Sequence, residues 1–291
     1  MGPLAQSVEQ RTFNPWVVGS IPTGPTLPDL CRLKNWRQMT KLSLKLTLIF
    51  FRLRFIFKYP VRSAMHLAAR KKDYSKITIE ELSKYLVNPK VIVEAGASDG
   101  VDTLMFAKKF PEATIFAVEP IQEQIDFLRN KLKNFNNIRL SQVALSGKTE
   151  LVNIFVGKST GDLGGMGSSS LLKPSLHKKY FPEIIFNETQ LTSAVTLKKF
   201  FLDNNIKIAD LLWLDIQGVE LNVMEASQNT LQKSVKFLHL EISRVKFYEE
   251  MPSEGDIRKF LQAIGFKCVI DRVGAISGNA LYANLKLAEQ I

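Results

Sequence analysis

The sequence predicts an α/β domain with a mostly parallel seven-stranded sheet, helices on both faces and an antiparallel C-terminal edge. Three observations carry this. Short apolar runs alternate with amphipathic stretches from residue 76 onward, which is the pattern of β–α–β units. The chain of 291 residues is 45% hydrophobic, enough for one large core. The last two strand-like runs follow each other with no helix between them, which calls for an antiparallel pair.

The elements follow in order. Residues 77–86 (ITIEELSKYL) read as a helix with Thr78 as N-cap and Glu81 three positions on, the spacing of a capping box. Asn88-Pro89 stops it. Residues 91–95 (VIVEA) are a buried strand, 101–110 a helix, 114–119 a strand and 122–135 a helix. Residues 138–145 and 151–156 read as strands, and 157–172 as a Gly/Ser loop. Then come a helix over 196–205, a strand over 209–216, a helix over 219–227 and a strand over 235–242. A helix over 253–265 ends at Gly265, and 266–270 and 280–285 close the series. No internal repeat is present.

The N-terminal quarter is different. Residues 1–38 contain Pro3, Pro15, Pro22, Pro25 and Pro28 and keep no strand or helix period. The string LAQSVEQRTFNPWVVGSIPTGPT resembles an in-frame translation of a transfer-RNA gene. The expectation is therefore a non-native leader and a true start at Met39, a genuine leader being the alternative. Residues 39–75 are a basic amphipathic segment; the longest charge-free run within 40–60, Leu46 to Phe51, is far short of the roughly 18–20 residues of a spanning helix. Its aromatics and cations suit peripheral contact of residues 41–72 with an acidic membrane face; an ordinary helix packed on the domain is the equal alternative.

Charge sharpens this division. The formal net charge is +11, yet twelve Lys/Arg and no acid lie between Leu30 and Lys72, which leaves the rest of the chain at −1. A basic footprint for nucleic acid is thus disfavoured on the folded part. Two cysteines and three histidines argue against a disulfide scaffold, a CxxC zinc site or a His-rich metal centre, so no metal is expected. A cytoplasmic location, at most at the membrane surface, follows.

Two motifs carry chemistry. In VIVEAGASDG, a strand runs through Glu94 into Gly96, Ala97, Ser98, Asp99 and Gly100 before a helix starts. Ligands of open α/β sheets sit at these carboxyl ends, and Gly96 allows a tight turn and close approach. The turn is not GxGxxG, so the dinucleotide fingerprint is absent. In AVEP, Glu119 ends the next strand, where an acid can accept hydrogen bonds from both ribose hydroxyls. The two motifs fall on one sheet edge in consecutive units.

With these residues in view, the chain resembles class I S-adenosylmethionine-dependent methyltransferases, and specifically the FkbM family. That family's ordered motifs are matched by EAGASDG (94–100), VEP (118–120), ALS (144–146), SSSLL (168–172) and LDIQGVEL (214–221), over about residues 90–270. Glu94 replaces the usual Asp, Ser98 the usual Asn, and Gln217 stands where many members carry Glu. The resemblance implies a Rossmann-like domain over 76–291 with S-adenosyl-L-methionine as cofactor. It implies that Glu94 and the loop from Gly96 to Gly100 hold the methionine part. Glu119, followed by Pro120, would hold the ribose, and Val143 and Ala144 would lie along the adenine. The implied reaction is methyl transfer to an acceptor oxygen, a hydroxyl of a sugar, glycan or other small metabolite.

A hydroxyl acceptor benefits from a general base. The candidates are Asp215 at the end of its strand, and His239 with Glu241, which share one face of 235–242 by period two. A satisfied buried histidine and a helix-capping acid are the plain alternatives for His239 and Asp215. Glu220 in the first turn of the next helix reads as structural. The loop 157–174 is long enough to cover an acceptor. Two rival functions remain: another nucleotide-cofactor enzyme on the same sheet, and a cofactor-binding module that has lost catalysis and acts through a membrane or a partner.

Overall fold

The computed structural model describes residues 75–159 and 167–288. The expectations for residues 1–38 and for most of 39–75 lie outside these. Ten strands and eight helices follow one another among the described residues. The first helix, α1 (Ile79–Ser83), carries the expected capping box: Thr78 Oγ1 accepts from Glu81 N and Glu81 accepts from Thr78 N. Then come β1 (Val91–Ala95), α2 (Val101–Lys109), β2 (Thr114–Val118), α3 (Gln122–Leu132), β3 (Ile138–Ser141), β4 (Ala144–Leu145) and β5 (Glu150–Ser159). They are followed by α4 (His177–Tyr180), β6 (Ile184–Val195), α5 (Leu197–Asp203), β7 (Ala209–Leu214), α6 (Glu220–Ala226), α7 (Gln228–Ser234) and β8 (Val235–Ser243). The helix α8 (Glu254–Ala263) and the strands β9 (Phe266–Asp271) and β10 (Ser277–Asn284) complete the order.

Seven strands form one sheet in the order β3-β2-β1-β7-β8-β10-β9. The first five are parallel, and β10 runs antiparallel to both β8 and β9. The antiparallel strand is thus inserted second from the edge, with β10 between β8 and β9 in the same sheet. The expected doubly wound sheet is present.

Alternation along the strands builds two cores. Val93, Leu212, Leu214, Leu238 and Leu240 face α5, α6, α7 and α8 through Phe200, Val223, Leu231 and Leu261. Ile92, Ile115, Leu211, Trp213 and Phe237 face α1, α2 and α3 through Leu82, Phe106 and Leu128. Both sets lie in strands buried on two faces, which is why those strands read as continuous apolar runs. Phe106 is fully buried and meets Trp213 edge-to-face at 5.2 Å. Phe106→Ala is expected to lower unfolding free energy by about 3–5 kcal/mol in urea titration.

Three features depart from the sequence reading. Residues 138–145 do not form one strand: β3 joins the main sheet, whereas β4 pairs with β6 in a second sheet of order β4-β6-β5. The twelve-residue β6 and the short α7 had no legible period, since β6 is half exposed and α7 buries one leucine. The second sheet supports the mouth of the site, because Gln190 Nε2 donates to Pro120 O at 3.1 Å and Gln190 Oε1 accepts from Gln122 N.

Candidate active site

The carboxyl ends of β1, β2 and β7 meet at a cavity of about 630 Å3, within the range of roughly 300–1,000 Å3 typical for small-molecule sites. Gly96 makes the junction possible. Its N–H bonds Val118 O at 3.0 Å, and the next strand end closes on it as Asp215 N bonds Ala95 O at 3.0 Å. Gly96 adopts φ +91°, and a Cβ placed on it would lie 1.9 Å from the Asp215 carbonyl oxygen. No side chain fits there. The turn continues through Ala97, Ser98 and Asp99, which line the cavity, and Asp99 Oδ1 caps the start of α2 by accepting from Val101 N.

Glu119 follows β2 and is 3% exposed. Its Oε2 accepts from Ser98 N and its Oε1 from Ile121 N, both at 2.9 Å. The acid thereby ties the first turn to the second. Burial pushes its carboxyl up to about 7, against the pull of the two N–H donors. Pro120, Val143, Ala144 and Leu145 continue the wall.

Asp215, Gln217 and Glu241 form the third side. Asp215 and Glu241 are half-buried and hydrogen-bonded to each other, and burial raises both carboxyls. Glu241 lies well above the ordinary range because Asp215 and Glu220 add like charge. Each of two such neighbouring acids strengthens the other's hold on its proton. Gln217 Nε2 donates to Asp215 Oδ1 at 2.7 Å.

Three expected residues do not reach the cavity. Glu94 is 1% exposed behind the turn and accepts from Thr103 Oγ1 at 2.6 Å; burial holds it protonated well above the usual range. Gly100 is the N-cap of α2 at φ +71°, where a Cβ would strike Leu128 Cδ2 at 2.5 Å. Both shape the turn from behind. His239 does share a strand face with Glu241, but it stacks flat on Trp213 at 3.3 Å and is 1% exposed. Its ring nitrogens have no hydrogen-bond partner among the described residues, and burial pushes it down to about 3. A base for pH 7 chemistry needs the opposite, so the expectation for His239 is corrected to a neutral packing partner. Glu220 is structural as read: it accepts from Ile216 N and Gly218 N and so closes the turn after β7.

The cavity also recruits residues that the motifs did not flag. Lys76, Asp102, Met105, Trp213 and Asn279 line it, and burial raises Asp102 to about 6. Lys76 and Asn279 come from segments remote from the motifs, whereas Asp102, Met105 and Trp213 adjoin them in sequence. Residues 160–166 of the expected covering loop lie outside the description, but Gly167, Ser169 and Leu171 just after them line the cavity.

Among known proteins, the "Methyltransferase FkbM domain" matches residues 94–268, more than half of the chain. The chain belongs to the FkbM methyltransferase family. The 2-O-methyltransferase NoeI of Sinorhizobium fredii (strain NBRC 101917 / NGR234) is 26% identical over 200 residues, 68% of this chain and 80% of that protein. The crystal structure of Methyltransferase FkbM from Methylobacillus flagellatus KT aligns with a TM-score of 0.45 and 15% identity, over 73% of this chain. The chain spans about half the length of that one, 48%. A SAM-dependent methyltransferase from Aquifex aeolicus aligns with a TM-score of 0.39 and 11% identity, over 71% of this chain and 88% of that one.

This FkbM-family chain is a methyltransferase and its cofactor is S-adenosylmethionine. The cavity suits such a group: it is lined by Asp99, Asp102, Glu119, Asp215 and Glu241, a donor set complementary to a sulfonium and an ammonium cation. The other nucleotide-cofactor reading is set aside by the family. Among the described residues no helix is long and apolar enough to cross a membrane.

Proposed function

We propose that the protein transfers a methyl group from S-adenosylmethionine to a hydroxyl of a sugar or other small polyhydroxylated metabolite, with the Asp215–Glu241 pair as the general base. The observation that carries this is the hydrogen-bonded carboxyl pair at the wall of an acid-lined cavity, one strand from the Gly96 turn. Bound cofactor supplies a methyl group already activated on sulfur, so the residues have only to position, desolvate and deprotonate.

Each residue then has a task. The Gly96 turn, with Ala97, Ser98 and Asp99, holds the methionine part, and Glu94 and Gly100 shape that turn from beneath. Glu119 keeps lone pairs on both oxygens for two ribose hydroxyls, while its bonds to Ser98 N and Ile121 N fix its plane. Pro120, Val143 and Ala144 lie along the adenine. Asp215 would take the proton of the acceptor hydroxyl, whose oxygen bonds the methyl carbon as that carbon's bond to sulfur breaks and sulfur keeps the electron pair. The name of the NoeI relative, a 2-O-methyltransferase, supports an oxygen acceptor.

Glu119 gives this reading a pH signature. Its carboxyl stands near 7 before binding, and accepting from two hydroxyls favours the carboxylate, so binding expels a proton below that pH. Calorimetric affinity for S-adenosylmethionine is expected to rise about tenfold from pH 6 to pH 8 and then level off. Glu119→Gln is expected to flatten that slope; an unchanged slope contradicts the assignment. Release of S-adenosylhomocysteine on adding a panel of mono- and oligosaccharides tests the acceptor class.

A further inference from the structure

The cavity carries far more acid than base. Glu80, Asp99, Asp102, Glu119, Asp215 and Glu241 line it, and among the described residues Lys76 is the single cation that does. Lys131 stands close by, but its ammonium donates to Asp99 O and it stays outside the lining. S-adenosylmethionine has two cationic groups and one anionic group: a sulfonium, an ammonium and the α-carboxylate of its amino acid. The acids suit the first two. A carboxylate placed among them is repelled and needs a donor of its own.

The turn under the methionine part has its donors already in use. The N–H groups of Gly96 and Ala97 bond Val118 O, that of Ser98 bonds Glu119, that of Gly100 bonds Ala97 O and that of Val101 bonds Asp99 Oδ1. The start of α2 is thus capped by one acid, Asp99, with a second, Asp102, in its first turn. A helix start so filled is a poor place for a further carboxylate.

Lys76 is held where it meets this need. Ser75 O accepts from Asn279 N at 3.0 Å and from Asn279 Nδ2 at 2.8 Å, and Asn279 lies opposite Glu241 in the β8–β10 pair. On the other side, Ile77 is buried and Thr78 opens α1 with its capping box. The backbone is therefore pinned on both sides of Lys76. Its charge favours ionisation of Asp102, Asp215 and Glu241. Glu119, at the ribose end, is set instead by burial and its two N–H donors. The ammonium thus acts at the methionine end of the cavity.

We propose that Lys76 recognises the α-carboxylate of the cofactor, completing a site whose acids take the sulfonium and the ammonium. The residue lies ahead of 94–268, the part that the family domain covers. The inference rests on the cofactor and not on the acceptor, so it stands or falls apart from the sugar-hydroxyl reading.

The test is calorimetry on the full chain with three ligands. They are S-adenosylhomocysteine, its decarboxylated analogue, which keeps the amine and the adenosyl thioether, and methylthioadenosine, which lacks the amino acid. The readout is the ratio of the affinity for S-adenosylhomocysteine to that for the decarboxylated analogue. General damage to the cavity weakens both and leaves that ratio unchanged. In Lys76→Met and Lys76→Gln the ratio is expected to fall about 10–100-fold, the worth of a hydrogen bond to a charged group. The decarboxylated analogue, a cation, is expected to bind these variants at least as tightly as wild type, because the facing ammonium is gone. Lys76→Arg keeps the charge and is expected to keep most of the ratio. Methylthioadenosine is expected to bind wild type and all variants within about twofold. A ratio unchanged in both neutral variants overturns the proposal, whatever the absolute affinities. If Lys76→Met binds no ligand, Lys76→Gln decides by the same ratio.

Discussion

Asp215→Asn is expected to lower kcat by about 10²–10⁴-fold, the usual contribution of a positioned general base, while the affinity for S-adenosylmethionine changes little. The amide keeps the size of the carboxyl and its oxygen can still accept from Gln217 Nε2 across the 2.7 Å contact, so the cavity survives. What is lost is an oxygen able to take the acceptor's proton. Glu241→Gln is expected to cost less, because burial and the like charge of Asp215 and Glu220 push the Glu241 carboxyl well above the ordinary range. Steady-state rates together with calorimetric affinities check both variants. Equal loss of affinity and turnover in Asp215→Asn would place the residue in cofactor binding instead.

Gly96→Ala is expected to abolish measurable cofactor binding. The methyl would sit 1.9 Å from the Asp215 carbonyl at φ +91°, so either β1 and β7 part at their ends or the turn unwinds. Overpacking of this kind costs about 1–3 kcal/mol, and a left-handed non-glycine residue adds a similar amount. Either relaxation displaces Ser98 N from Glu119 and so opens the acid's plane. Calorimetry with S-adenosylhomocysteine and thermal unfolding check the result. Wild-type affinity in this variant would show that the turn does not touch the ligand.

The fold was legible because burial on both faces keeps β1, β2, β7 and β8 mostly apolar, so those strands read as apolar runs. The capping boxes of α1 and α8 announced themselves by type and spacing. The second sheet was legible only in part: 151–156 read as a strand and belongs to β5, whereas β6 is a ribbon with one exposed side, where Leu191 points to solvent. The site divides similarly. Gly96, Glu119 and Asp215 stand at strand ends, a position that can be read from order alone. His239 could not be judged so. Period two put it on the right face, yet Trp213 from the neighbouring strand lies flat against it, and cross-strand neighbours are invisible to a local pattern. Lys76 and Asn279 reach the cavity from segments far from the motifs in sequence. The +11 charge that dominates the composition belongs to a segment outside the described residues, and the cavity itself is acidic.

The most direct test of the account is the position of the transferred methyl. With S-[methyl-13C]adenosylmethionine and a responsive sugar acceptor, NMR of the product is expected to show the label as an ether on a ring hydroxyl, formed in step with S-adenosylhomocysteine. Label on nitrogen, sulfur or a carboxylate ester would contradict an Asp215-assisted hydroxyl acceptor, and label remaining on the donor across the whole panel would contradict a sugar acceptor.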